Sequence, residues 1–130
     1  MSVTCYLGIG SNMAPRLRRL DDALTALASV VNIDDASAAV ESDDHTGRGP
    51  AYLNMAVRCT TDMSLDELNT ALRDLERRLG RRPDSKERGQ MPVDIDIVEY
   101  DGRVVSHDDF ERQYFATCYR QLNSRINNLI

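Results

Sequence analysis

Hydrophobic and polar positions change period several times along this chain, and each change marks an element. Val3 to Gly10 is a short apolar run that stops at Gly10-Ser11-Asn12, which predicts a strand running into a turn. Leu17, Leu20, Leu24, Leu27 and Val31 then recur at helical spacing, with Pro15 suited to the first turn and Ser11 or Asn12 to a nearby cap. Val30 to Val40 is weakly strand-like. Glu41 to Pro50 is polar and rich in Asp and Gly, and predicts an exposed loop, a candidate lid or ligand contact. Tyr52 to Thr60 alternates cleanly, Leu53, Met55, Val57 and Cys59 on one side and Tyr52, Asn54, Ala56 and Arg58 on the other, so this strand is predicted to bury one face.

Ser64 followed by Glu67 has the spacing of a capping box, and Leu65, Leu68, Leu72, Leu75 and Leu79 predict a second amphipathic helix closed by Gly80. Arg81 to Met91 is charged and lacks apolar periodicity, which predicts a mobile surface loop. Val93 to Tyr100 reads as the next strand, with a turn at Asp101-Gly102. Between His107 and Leu129, the residues Phe110, Tyr114, Tyr119 and Leu122 are compatible with one helix face. The order strand, helix, strand, strand, helix, strand, tail is the split βαβ arrangement of an α+β ferredoxin-like sandwich. It predicts an antiparallel sheet with two helices on one face and a C-terminal helical tail.

Composition narrows the function classes. The 130 residues suit one domain, 1–130, which can bury about two thirds of its unfolded surface. A net charge of −5 argues against a nucleic-acid partner, because phosphate backbones are held mainly by clustered Lys and Arg. No apolar run is long enough for a bilayer, and the N-terminus enters a strand without signal-peptide regions, which predicts a cytoplasmic protein with no membrane partner. Cys5, Cys59 and Cys118 lack paired spacing and are expected as buried free thiols.

The candidate chemistry lies in Val93-Asp94-Ile95-Asp96-Ile97-Val98. A period of two sends Val93, Ile95 and Ile97 to the helix-covered side and both aspartates to the other. Their α-carbons fall about 6.6 to 7 Å apart, close enough to share a site. Magnesium takes such ligands, one or two carboxylates with the other positions left to water and substrate phosphates. On spacing alone a solvated face with two unoccupied acids is the commoner arrangement. On the same face Tyr52 and Asn54 offer a flat ring and an amide suited to a planar heterocycle, or Tyr52 covers apolar surface. Gly8 and Gly10 either admit a ligand close to the backbone or serve strand curvature. Arg81 and Arg82 suit phosphate oxygens or simply complement the helix dipole. Glu76, near the helix end, reads as a surface carboxylate, and His45 and His107 as surface residues without metal-ligand spacing.

Together these residues resemble the 6-hydroxymethyl-7,8-dihydropterin pyrophosphokinase family. The resemblance rests on Tyr6-Leu7-Gly8-Ile9-Gly10-Ser11-Asn12-Met13 with Arg16 and Leu17, on Tyr52-Leu53-Asn54-Met55-Ala56-Val57, on Leu75-Glu76-Arg77-Arg78-Leu79-Gly80-Arg81, and on Val93-Asp94-Ile95-Asp96-Ile97. It implies transfer of pyrophosphate from ATP to a pterin alcohol in folate biosynthesis, leaving AMP. Asp94 and Asp96 would hold two magnesium ions, Tyr52 and Asn54 would contact the pterin, Glu76 would lie near the substrates, and Arg81 would open the catalytic loop. The chain also departs from the family pattern. Glu87-Arg88-Gly89-Gln90-Met91 sets Arg88 where an aromatic residue belongs and Met91 where an arginine does. Glu41-Ser42-Asp43-Asp44 lacks the family's threonine and proline, and no Pro-His segment follows the last strand, where Arg112 is the nearest candidate for a downstream arginine. The implied protein is thus a divergent, C-terminally shortened member. Its rivals are a catalytically degenerate pterin- or nucleotide-binding module and a plain ferredoxin-like interaction domain.

Overall fold

In the computed structural model, residues 1–44, 47 and 49–129 are described, with side chains as far as 123. The expectation of a surface position for His45 lies outside the described residues. The elements run β1 (Val3–Ser11), α1 (Arg16–Leu27), β2 (Asn32–Ala36), β3 (Val40–Ser42), β4 (Tyr52–Thr61), α2 (Leu65–Arg78), α3 (Ser85–Arg88), β5 (Asp94–Tyr100), β6 (Arg103–Val104), α4 (His107–Glu111) and α5 (Gln113–Leu129). All strand pairs are antiparallel, in the order β2-β4-β1-β5-β6 with β3 beside β2 on the edge of β4. This is the expected α+β arrangement. Among the described residues no helix is long and apolar enough to cross a membrane.

One sheet face packs against α1 and α2. Cys5, Leu7 and Ile9 of β1, Met55, Val57 and Cys59 of β4, and Ile95 and Ile97 of β5 meet Leu20, Ala23 and Leu27 of α1 and Leu68, Leu72 and Leu75 of α2. The alternation of each strand and the leucine stripe of each helix therefore close on one another, and burying each such side chain contributes roughly 1.5 to 3 kcal/mol. The capping box of α2 is formed as its spacing predicts: Glu67 N donates to Ser64 Oγ at 3.1 Å, and Ser64 N donates to Glu67 Oε1 at 2.9 Å. All three cysteines are buried and free.

The structure corrects several expectations. Helix α1 begins after Pro15 with no side-chain cap, and Leu17 is 56% exposed, so the apolar stripe starts a turn later than its leucines suggest. The predicted strand from Val30 to Val40 is two strands. Between them Ser37 N donates to Ala56 O at 2.9 Å and Ser37 Oγ accepts from Ala56 N at 2.9 Å, so a side chain stands in for part of the ladder. The segment Arg81 to Met91 is braced instead of loose, as described below. The second sheet face is only partly open. The tail folds as α4 and α5, and Phe115, Cys118 and Leu122 close a second core over Tyr6, Ala56 and Val98. Phe115 escaped the sequence reading because Arg112 takes an extended conformation (φ −64°, ψ 138°), which resets the helical phase between the two tail helices, whereas Cys118 is buried and Tyr114, Tyr119 and Leu122 share one packed face as expected.

Candidate active site

The open part of the second face is a trench whose floor has no side chains. Gly10 on the central strand pairs with Asn54 of β4 on one side and Asp94 of β5 on the other, and Gly8 pairs with Ala56 and Asp96. Strands lie about 4.8 Å apart, so the two aspartates form one rim and Tyr52 with Asn54 the other, about 10 Å across. At Gly10 a Cβ would fall 2.8 Å from Asn54 Oδ1 and 3.3 Å from Tyr52 Cδ2, so the glycine is required for Asn54 to reach its place. The resulting cavity, of about 490 Å³, is lined by Gly8, Gly10, Tyr52, Asn54, Arg81, Asp94 and Asp96 among the residues predicted from sequence. Such a volume suits a small organic ligand.

Asn54 is buried and fixed. Its amide nitrogen donates to Val40 O at 3.1 Å and to Ser42 Oγ at 2.8 Å, which leaves the carboxamide oxygen as an acceptor over the glycine floor. Tyr52 stays a neutral phenol: burial first, then the Asp94 and Asp44 charges, push its hydroxyl up to about 12. On the opposite rim burial, followed by the charge of Asp94 and a hydrogen bond with it, pushes Asp96 up to about 8. A negative charge on Asp96 beside Asp94 is thereby disfavoured, and a divalent cation between the two would relieve that repulsion. Magnesium therefore fits this donor pair. Among the described residues no group of three or more His, Cys, Asp or Glu is arranged for a metal, so Asp94 and Asp96 would leave most coordination positions to water and phosphate oxygens, as magnesium prefers.

Glu76 is not the surface carboxylate its helix position suggests. It is 1% exposed, accepts from Ile95 N at 2.7 Å, and pairs with Arg73 and with Arg81, each at 2.8 Å. Burial raises its carboxyl above the usual range, opposed by the Ile95 amide and then the two arginines. Arg81 continues to Asp94 at 3.2 Å, and Arg73 also donates to Ile95 O. Glu76 does not line the cavity; it fastens α2 and two arginines to the strand that carries the aspartates. Arg82 is exposed and does not line the cavity either; its backbone N donates to Ser85 Oγ at 2.8 Å.

The segment after α2 is pinned by Asn12, the residue thought of as a helix cap. Asn12 Nδ2 donates to Gly89 O at 3.0 Å, Met91 N donates to Asn12 Oδ1 at 2.7 Å, and Asn12 N donates to Met91 O at 3.1 Å. Gly49 presses on the same segment, where a Cβ would fall 2.2 Å from Gly89 O. Met91 is thereby buried at the cavity wall, and Arg88 is exposed and paired with Asp84 at 3.3 Å. Sequence reading missed Arg73, Lys86, Asp109 and Tyr114, all of which line the cavity. Arg73 was findable, since it sits one helical turn before Glu76 on the same side. Asp109 was not, and Tyr114, although placed on the apolar face of the tail, could not be assigned to the cavity because the sequence does not show where that face meets the sheet. Arg112 lies at the cavity too, paired with Asp109 at 3.2 Å. His107 is exposed, as expected.

Comparison with known proteins bears directly on this trench. Residues 6–123 match the model of the family described as 7,8-dihydro-6-hydroxymethylpterin-pyrophosphokinase. A protein of Aquifex aeolicus named 2-amino-4-hydroxy-6-hydroxymethyldihydropteridine pyrophosphokinase is 29% identical over 106 residues, 78% of this chain and 64% of its own length. A mitochondrial folate synthesis bifunctional protein of Pisum sativum is 32% identical over 96 residues, 72% of this chain and 18% of its own. A folate synthesis bifunctional protein of Arabidopsis thaliana is 28% identical over 96 residues, with 72% and 20% covered. The chain thus spans under two thirds of the bacterial relative and about a fifth of the plant ones. The family match runs from the first strand into the tail helix, and on that evidence the chain belongs to the 7,8-dihydro-6-hydroxymethylpterin-pyrophosphokinase family.

Proposed function

We propose that the protein transfers pyrophosphate from ATP to 6-hydroxymethyl-7,8-dihydropterin, a step of folate biosynthesis. The observation that carries this reading is the trench itself: a fixed amide and a neutral phenol on one rim, two carboxylates on the other, and a glycine floor between them. Tyr52 and the Asn54 acceptor suit a flat heterocycle with ring N–H donors, and the opposite rim suits a magnesium-bound triphosphate. In the reaction the pterin hydroxymethyl oxygen attacks the β-phosphorus, the bond from that phosphorus to the bridging oxygen on the α-phosphate breaks, AMP leaves with that oxygen, and the hydroxyl proton passes to solvent. No protein nucleophile is needed, because positioning and charge stabilisation supply most phosphoryl-transfer catalysis.

Asp94 and Asp96 would hold magnesium, two ions by the family resemblance, which when bound offsets the charge of the triphosphate and polarises its phosphorus. Arg81, anchored by Glu76, would offer its remaining donors to phosphate oxygens beside the metal-holding pair. Buried free cysteines accord with a reducing compartment, and we place the protein in the cytoplasm.

The test is to incubate the purified chain with ATP, magnesium and the hydroxymethyl dihydropterin and to measure AMP. Asp94→Ala with Asp96→Ala should lower AMP formation at least about a hundredfold, the scale of losing a preorganised charge stabiliser. No AMP above that double variant would overturn the enzyme reading. Binding of pterin or of magnesium-dependent ATP without turnover would then mark a binding module.

A further inference from the structure

The rim that carries Tyr52 and Asn54 is built on a pair of strands at the sheet's edge. Strands β3 and β4 pair at Val40 with Asn54, Glu41 with Leu53 and Ser42 with Tyr52, and residues 43–51 connect them. Alternation divides these positions between the two faces of the sheet. Ser42, Tyr52 and Asn54 line the trench, whereas Glu41 and Leu53 point to the side of α1, where Leu53 packs against the first core. Strand β3 has only three residues and pairs with β4 alone, so its own ladder supplies little to hold the rim in place.

Arg16, at the start of α1, grips this pair of strands from the helix-covered face. Its Nη1 donates to Ala51 O at 3.1 Å and its Nη2 to Glu41 Oε2 at 3.4 Å, so one guanidinium spans both arms where the ladder ends. Ala51 directly precedes Tyr52. Glu41 directly precedes Ser42, whose hydroxyl accepts from Asn54 Nδ2 at 2.8 Å. Arg16 itself does not line the cavity. It stands one turn before Leu20, which is fully buried in the first core, so its base is fixed. A planar fork serves two acceptors in set directions, which an ammonium on a flexible stem does less well.

We propose that Arg16 is a positioning residue for the pterin-side rim: it ties Ala51 to Glu41 and thereby sets Tyr52, Ser42 and Asn54 in place before the ligand arrives. This proposal rests on the reading of that rim as the pterin contact. Holding a binding segment in its bound position lowers the ordering cost for the ligand that uses it, and for no other. The Ala51 contact carries more of the effect than the Glu41 contact, because the Glu41 side chain is 62% exposed and such an ion pair contributes little in water.

Calorimetry tests it, with the hydroxymethyl dihydropterin in the presence of magnesium and a non-hydrolysable ATP analogue, and with magnesium and the analogue alone. Arg16→Ala should weaken the pterin about tenfold and change the analogue's affinity less than about twofold. Arg16→Lys keeps one donor contact and should lose about threefold for the pterin, and Glu41→Ala about twofold. In steady-state kinetics the same order should appear in the pterin KM, with kcat at saturating substrates largely kept. An unchanged pterin affinity in Arg16→Ala, or an equal loss for pterin and analogue, overturns the positioning role. If Arg16→Ala does not fold, a pterin loss in Arg16→Lys no larger than the analogue's overturns it in the same way. Failure of the unchanged chain to bind the pterin at all overturns the reading of the rim itself, and the two failures are thus told apart.

Discussion

The two faces of the sheet are built from the same strands with the same alternation, yet they do different work. Toward α1 and α2 every inward position is apolar from end to end, from Cys5 to Ile9 on β1 and from Met55 to Cys59 on β4. Toward the other side each strand changes character along its length. On β1 the sequence is Tyr6, Gly8, Gly10; on β4 it is Ala56, Asn54, Tyr52; on β5 it is Val98, Asp96, Asp94. The first member of each set lies in the second core under α5, and the last lies in the trench. Gly8 marks the boundary, for a Cβ there would meet Val98, Phe115 and the Tyr114 hydroxyl at 3.7 to 3.9 Å. One face is thus uniform and serves packing, while the other is divided, with packing at one end and the cavity at the other.

If the second core is as much a part of the fold as the first, its anchors should be as costly to remove. Phe115 and Leu72 are both fully buried, one on each side of the sheet. Phe115→Ala and Leu72→Ala should each lower unfolding free energy by about 3 to 4 kcal/mol, measured as denaturant midpoints at constant slope. Phe115→Ala should in addition lower activity per folded molecule, because α5 carries Tyr114 to the cavity and follows directly on Arg112. A loss under about 1 kcal/mol for Phe115→Ala would break the comparison and leave α5 an appendage.

How much of this was legible in the sequence follows the same division. The uniform face was readable in full, because strict alternation on three strands and leucine stripes on two helices leave only one way to bury the apolar set. The aspartate pair, Tyr52, Asn54 and the two glycines were readable as well, since all lie on regular strands whose period fixes their direction. What failed was whatever depends on contacts between distant segments. Glu76 looked like a surface acid because nothing in a helix sequence shows that a strand amide and two arginines will meet it. Arg81 to Met91 looked loose because its braces, Asn12 and Gly49, come from elsewhere in the chain. The tail was placed as helical with Phe110, Tyr114, Tyr119 and Leu122 on one face, and all four do pack on the second core, but nothing in the sequence showed that this face closes on the sheet beside the cavity or that Phe115 joins it.

A smaller effect sharpens the boundary on the divided face. Gly10→Ala puts a Cβ 2.8 Å from Asn54 Oδ1, and Asn54 cannot yield freely while Val40 O and Ser42 Oγ hold its amide. Gly8→Ala meets only ordinary van der Waals contacts, none closer than 3.7 Å. Gly10→Ala should therefore raise the KM for the pterin about tenfold, and Gly8→Ala should change it much less, in steady-state kinetics at saturating ATP. Equal effects of the two substitutions would mean that floor depth, and not the placement of Asn54, governs the pterin rim.

The smallest effect belongs wholly to the uniform face and serves to separate stability from chemistry. Ser64→Ala removes the hydroxyl that caps α2 and should lower stability by about 1 kcal/mol at neutral pH while leaving AMP formation per folded molecule unchanged. Glu67, the other half of the box, has its carboxyl held below the usual range, first by the Ser64 amide and then by the Ser64 hydroxyl. A depressed folded-state value means that its contribution is complete above the ordinary carboxylate range and disappears as pH falls through the lowered value. Ser64→Ala retains the amide but not the hydroxyl, so the stability gap between the two proteins should narrow on acidification. Thermal melts of both proteins across that range would show it, and a gap that stayed constant instead would mean the hydroxyl acts on the helix end without Glu67.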